Sequence, residues 1–182
     1  MESLVRRLRA ARIGETTNFY REGTGATRRC ERLRAYLESR AEAPLLLVGE
    51  APGYRGARVS GIPFTSERQL TGTGPAEATA TIVHRVLAEL GLAEHVLLWN
   101  VVPTHPGTEV SNRPPTAGEV EAGLAFVEEL ARGRRVIAVG RVAARALGVP
   151  YVRHPSHGGL ARFRDGLLPF ARGGRLVRPS SV

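Results

Sequence analysis

Four short apolar runs, each followed by a polar residue or a glycine, set the rhythm of the chain. Leu45-Leu46-Leu47-Val48 stops at Gly49, Val96-Leu97-Leu98-Trp99 at Asn100, and Val136-Ile137-Ala138-Val139 at Gly140. A weaker run, Val149 to Val152, precedes His154. Unbroken apolar runs suit strands buried on both faces, as in parallel sheets. Between them the pattern predicts helices over about Ala76–Leu90, Ala117–Arg132 and Val142–Leu147. Ahead of them it predicts helices over Glu2–Arg12 and Ala26–Arg40, where Leu33, Tyr36 and Leu37 fall at helical spacing, joined by a polar, glycine-bounded link. Arg162–Phe170 reads as a last helix or an irregular segment, and Gly173–Val182 as a loose tail. Alternating strands and helices predict an α/β three-layer sandwich with a mostly parallel central sheet of about four strands and right-handed connections. No repeat or linker divides the chain, so residues 1–182 are expected to form a single domain, with 1–43 as an N-terminal helical segment.

That architecture says where chemistry belongs. In open α/β sheets ligands bind beyond the carboxyl ends of the strands, and the residues there are Glu50, Asn100, Gly140 and His154. Gly49-Glu50-Ala51-Pro52-Gly53 places a carboxylate in a loop stiffened by proline and freed by glycines. Phe64, in Gly61-Ile62-Pro63-Phe64, is an aromatic ring among turn-forming residues with no helical or strand face to join. It suits stacking on a planar base, and equally an anchor that pins the loop to the core. Taken singly, Asn100 also suits a turn cap and His154 a structural hydrogen bond. The remaining histidines, His84, His95, His105 and His157, read as surface or structural.

Composition narrows the field. At 182 residues and 42% hydrophobic content the chain can bury a real core. It carries 26 basic against 17 acidic residues, a net charge of +9, which favours polyanions such as nucleic acid. Every basic residue is Arg, a bias that a GC-rich genome also produces. With no Lys, a Walker-type phosphate loop and a Lys Schiff base are excluded. Cys30 is the only cysteine, so neither a Cys-rich zinc site nor an iron–sulfur cluster is expected, and no metal or cofactor is called for. No stretch approaches the roughly 20 apolar residues of a membrane span. A cytoplasmic monomer is the expectation.

Taken together, Leu45 to Phe64, Val96 to Pro103 and His154 to Ser156 resemble the uracil-DNA glycosylase superfamily, most closely its branch with a Gly-Glu-Ala-Pro-Gly loop. Asn112-Arg113-Pro114-Pro115, followed by Glu119, resembles the same branch, as does Val139-Gly140 before a helix. The resemblance implies an enzyme that flips a base out of DNA and hydrolyses its N-glycosidic bond. It implies Glu50 and His154 as catalytic residues. Ala51, Phe64 and Asn100 would hold the base, and Pro52, Gly53, Ser156 and Gly158 would contact DNA phosphate.

The chain also departs from that pattern. The iron–sulfur branches carry cluster cysteines that are missing here. Ala51 stands where the best-known uracil enzymes have a water-handling Asp, and the chain's one Asp is Asp165. Tyr54-Arg55-Gly56 replaces an acidic pair, and Gly53 replaces a Tyr that blocks the thymine methyl group. The expected activity is therefore monofunctional removal of uracil or a related deaminated base from single- or double-stranded DNA. The alternatives are a weak or inactive relative that binds DNA or damaged bases, and a hydrolase of free nucleotides.

Overall fold

The computed structural model describes residues 1–171. Helices α1 (Glu2–Ala10) and α2 (Ala26–Ser39) lead into strand β1 (Leu45–Gly49). Two short helices, α3 (Ala57–Ser60) and α4 (Glu67–Thr71), precede α5 (Ala78–Glu89) and β2 (Val96–Asn100). The chain continues through α6 (Ala117–Ala131), β3 (Arg135–Val139), α7 (Arg141–Leu147), β4 (Tyr151–Val152) and α8 (Leu160–Ala171). The strands form one sheet in the order β2-β1-β3-β4, every pairing parallel.

The unbroken apolar runs are explained by helices on both faces. Successive strand side chains point to opposite sides. Leu46, Val48, Leu97, Trp99 and Ala138 therefore meet Leu4, Leu8, Leu33, Leu37, Phe126, Leu130 and Ala143 from α1, α2, α6 and α7. Leu45, Leu47, Val96, Leu98, Ile137 and Val139 meet Val83, Val86 and Leu87 of α5, with Phe163 and Leu167 of α8. This is the three-layer sandwich. Burying Trp99 leaves its Nε1 without a hydrogen-bond partner among the described residues, an unmet donor of the kind that costs about 1–3 kcal/mol. Tyr36 protects the β2 edge: its hydroxyl accepts from the Leu98 backbone N–H at 2.7 Å.

The sheet order also creates the site. The chain leaves β1 toward β2 on one side and β3 toward β4 on the other, so a crevice opens where these connections diverge. Register pairs Gly49 with Asn100, setting the ends of β1 and β2 side by side.

Three details differ from the sequence reading or complete it. Between the Gly49–Gly53 loop and Phe64 lies α3, which the pattern does not predict, because α3 and α4 are too short to show a periodicity. The weak fourth strand is only two residues long, and Pro150, which has no N–H to give, precedes it. The ambiguous segment near the end is helical, α8. The tail expected at Gly173–Val182 lies outside the described residues. Among the described residues, no helix is long and apolar enough to cross a membrane.

Candidate active site

Gly49 brings the base-holding candidates together. A Cβ on it would lie 2.3 Å from the Phe64 ring and 3.1 Å from Asn100 Oδ1, so only glycine lets ring and amide close over the end of β1. Phe64 is held there against backbone preference, at φ +53°, a conformation costing a non-glycine residue about 1–2 kcal/mol. The surrounding turn enforces it. Ser60 Oγ donates to the Thr65 carbonyl at 2.6 Å, Tyr20 Oη donates to the Gly61 carbonyl at 2.9 Å, and His84 Nε2 lies 3.0 Å from Thr65 Oγ1. Burial pushes the His84 imidazole below its usual range, partly opposed by its hydrogen bond to the Phe64 backbone.

Asn100 is 3% exposed, yet its side-chain amide has no partner among the described residues. It lines the cavity instead, with a donor and an acceptor unused. Buried polar groups are ordinarily paired; a bare amide beside an aromatic ring is arranged for a planar ligand with a hydrogen-bonding edge.

The cavity holds about 290 Å³. Its walls include Glu50, Ala51, Pro52, Gly53, Phe64, Asn100, His154 and Ser156. The strand-end residues singled out in the sequence thus meet in one place, except that Gly140 stands behind His154: a Cβ on Gly140 would lie 3.4 Å from His154 Cβ. Gly158 is exposed and is not among the cavity-lining residues.

The tautomer of His154 follows from its partners. The Ser156 backbone N–H reaches His154 Nδ1 at 3.2 Å and the Ser156 hydroxyl reaches it at 2.7 Å. A backbone N–H can only donate, so Nδ1 accepts and the neutral ring carries its proton on Nε2. Burial, then the nearby charges of Arg153 and His157, hold the imidazole below its usual range and favour that neutral form. Nε2 has no partner among the described residues, so this donor is available at the site. The Ser156 hydroxyl also lies 3.1 Å from His157 Nδ1.

Glu50 is half-buried at the first loop position. Its backbone is fixed by the Val102 N–H, which donates to its carbonyl at 3.0 Å. Its carboxyl has no partner among the described residues, and burial raises it above the usual carboxylate range. The loop beyond is laced to residues 105–112. His105, fully buried, sets Nδ1 2.8 Å from the Pro52 carbonyl and Nε2 2.8 Å from the Thr108 carbonyl. The Asn112 side chain accepts from the Tyr54 N–H at 2.9 Å. His105 is thus a structural staple of the site.

Arg113 also lines the cavity, but its charge is engaged. It donates to Glu119 through both terminal nitrogens, at 2.8 and 2.6 Å. Glu119 is 2% exposed and closes a capping box with Thr116 at the start of α6. The Arg113 fork, with help from backbone N–H groups, pulls its pKa down to about 2. One ionisable cavity residue had no signal in the sequence. Glu77, the N-cap residue of α5, turns its carboxyl away from the helix and into the cavity. Among the described residues, no group of three or more His, Cys, Asp or Glu is placed to hold a metal ion.

With this geometry in hand, comparison with known proteins gives a consistent answer. The uracil DNA glycosylase superfamily model matches residues 37–172, and the chain belongs to that superfamily. Twenty chains of solved structures match. SMUG2 from Pedobacter heparinus, among them, superposes with a TM-score of 0.64 over 93% of this chain and 95% of that one, at 13% identity. No curated protein sequence matches the chain. An identity this low carries the fold alone.

Proposed function

We propose that this protein is a monofunctional DNA glycosylase that hydrolyses the N-glycosidic bond of uracil, or of a related deaminated base, in DNA. The observation that carries the reading is the buried, unpartnered Asn100 amide beside the Phe64 ring. Stacked on Phe64, a flipped uracil presents O4 as acceptor and N3–H as donor, which one amide satisfies together. Cytosine presents the reverse pattern, so its rejection requires the amide to hold one orientation in the complex. The available donor at His154 Nε2 matches the other charge to be met, the negative charge that develops on O2 as the bond to the sugar breaks. Glu50, bare and desolvated, suits the complementary positive charge on the sugar. The absence of Lys supports the word monofunctional, since no side-chain amine is available to form an imine.

The test is incubation with uracil-containing oligonucleotides, single-stranded and mismatched, followed by hot alkali to cleave abasic sites. Strand breaks at the uracil position are expected, with fewer or none in Asn100→Ala. No breaks at stoichiometric protein on any lesion sinks the enzyme reading. Salt-dependent retention of the same oligonucleotides without breaks would mark a binding module instead.

A further inference from the structure

Glu77 has the features of a working group rather than a helix cap. Glu77 stands at the N-cap of a 12-residue helix but makes no side-chain bond to the free N–H groups. Its carboxyl lies instead against the loop after β1. A Cβ on Gly53 would sit 2.7 Å from Oε1, and one on Gly56 would sit 1.6 Å from Oε2. The loop is therefore bare of side chains at two positions where the carboxyl enters. No hydrogen bond or ion pair reaches that carboxyl from the described residues, and burial raises it above the usual range. The charged and titratable groups around it do not neutralise it. Glu50 and His154 share its cavity, Arg113 is engaged by Glu119, and Arg55, on an adjoining hollow, sits with its guanidinium 5.3 Å from the centre of the Tyr54 ring.

Its position separates its task from that of Glu50. Glu50 follows Gly49 directly and so stands next to the base-holding ring and amide. Glu77 packs on Gly53 and Gly56, farther along the loop, and also lines the adjoining hollow of about 240 Å³. It therefore faces both the reaction cavity and the adjoining hollow.

We propose that Glu77 is a second catalytic carboxylate, the general base that receives the proton of the attacking water, and that Glu50 is left to face the sugar cation. The assignment rests on the glycosylase reading above. In the step, the water oxygen forms a bond to C1′ while the C1′–N1 bond breaks and its electron pair leaves with the base. One water proton passes to a Glu77 oxygen and the other remains in the new C1′ hydroxyl. Glu77 then returns its proton to the departing base or to solvent. The carboxylate that the loop lacks at Ala51 and at Tyr54-Arg55 is in this way supplied from the start of α5.

The experiment is single-turnover excision from a labelled uracil oligonucleotide by the full chain, its Glu77→Gln and Glu77→Ala variants, with folding checked by circular dichroism. Glu77→Gln keeps the packing on both glycines, and is expected to lose about 10²-fold or more in rate with oligonucleotide affinity within about threefold. Its acid limb should fall with one protonation fewer than that of the wild type. Added formate should restore part of the rate to Glu77→Ala, which a structural role would not allow. Glu77→Gln excising within about threefold of wild type, or losing affinity rather than rate, overturns the Glu77 assignment alone. A wild type inert on every uracil or deaminated-base oligonucleotide overturns the glycosylase reading and this assignment with it.

Discussion

Two sets of glutamates in this small molecule show opposite uses of one side chain. Glu119 sits at the foot of α6, gripped by both arms of Arg113 and by the Thr116 and Glu15 backbone N–H groups, and its pKa falls to about 2. Glu50 and Glu77 line the cavity with no partner among the described residues, and burial raises both. The first arrangement makes the charge part of the fold. The second keeps a desolvated charge uncompensated, which no folding requirement explains. A positive charge that exists only in the transition state would compensate it, and interactions of that kind are the ones that accelerate a reaction.

The sharpest way to break that contrast is Glu50→Gln. If the bare carboxyl serves catalysis by facing the sugar cation, uracil excision should fall on the order of 10²–10³-fold, while salt-dependent DNA binding persists. Because the raised pKa means that the ionised form is disfavoured in the folded state, the same substitution should leave the melting temperature unchanged or raise it. A variant that melts earlier and excises normally would make Glu50 a structural residue.

Glu119→Ala should do the reverse. Removing the carboxylate leaves the Thr116 and Glu15 N–H groups without their acceptor and opens the capping box, at a cost of about 1–2 kcal/mol, while the partly exposed Arg113 turns to solvent. Denaturant titration should show that loss, and the rate per folded molecule should fall far less than in Glu50→Gln. An equal fall in rate would mean that the brace and the site are not separable.

How much of this was legible depends on which physical signal each residue leaves. Glu50, Asn100 and His154 could be placed because apolar runs mark strand ends, and parallel strands bring those ends to one edge. Phe64 could be noticed because an aromatic stood where no periodic face could use it. Glu77 left no such mark. It sits at an N-cap, where a polar residue is unremarkable, and it reaches the cavity only because α3 and α4 fold the chain back. His105 reads in the sequence only as surface or structural. Its burial arises from two carbonyl groups that the neighbouring loops offer, and loop geometry is what residue patterning encodes least. The Asn112 to Glu119 stretch was recognised as a motif, but its ion pair needed the start of α6 and the preceding turn in place.

pH sharpens the comparison further, because the two sets titrate in different windows. A depressed carboxyl stabilises the fold above its unfolded pKa, and that stability is lost as pH falls through its folded pKa. For Glu119 the loss therefore runs from the ordinary carboxylate range down to about 2. Glu67, held down by the Arg32 hydrogen bond, adds to the same trend. The raised carboxyls work the other way: they protonate first on acidification, which removes a buried charge without harming the fold. Excision should thus fall by about tenfold per pH unit for each of the two carboxyls, and so by up to about a hundredfold, at a pH where circular dichroism still reports a folded protein. Loss of activity coincident with unfolding would erase the distinction.

The smallest expected effect tests whether the neutral His154 donor is set up by the backbone or by a side chain. Both the N–H and the hydroxyl of Ser156 reach Nδ1. Ser156→Ala removes the hydroxyl and leaves the N–H, which alone is enough to keep Nδ1 an acceptor and the proton on Nε2. The ring loses one restraint on its orientation, so the rate should fall only about 3- to 10-fold, against the order of 10²–10³-fold for His154→Ala. The variant's pH profile should stay near that of the wild type, since burial is the first cause of the lowered His154 pKa and the substitution adds no charge. A loss as large as that of His154→Ala would mean that the hydroxyl, and not the backbone, fixes the tautomer. That result would move Ser156 from a positioning role to an indispensable one and leave the backbone N–H as a bystander.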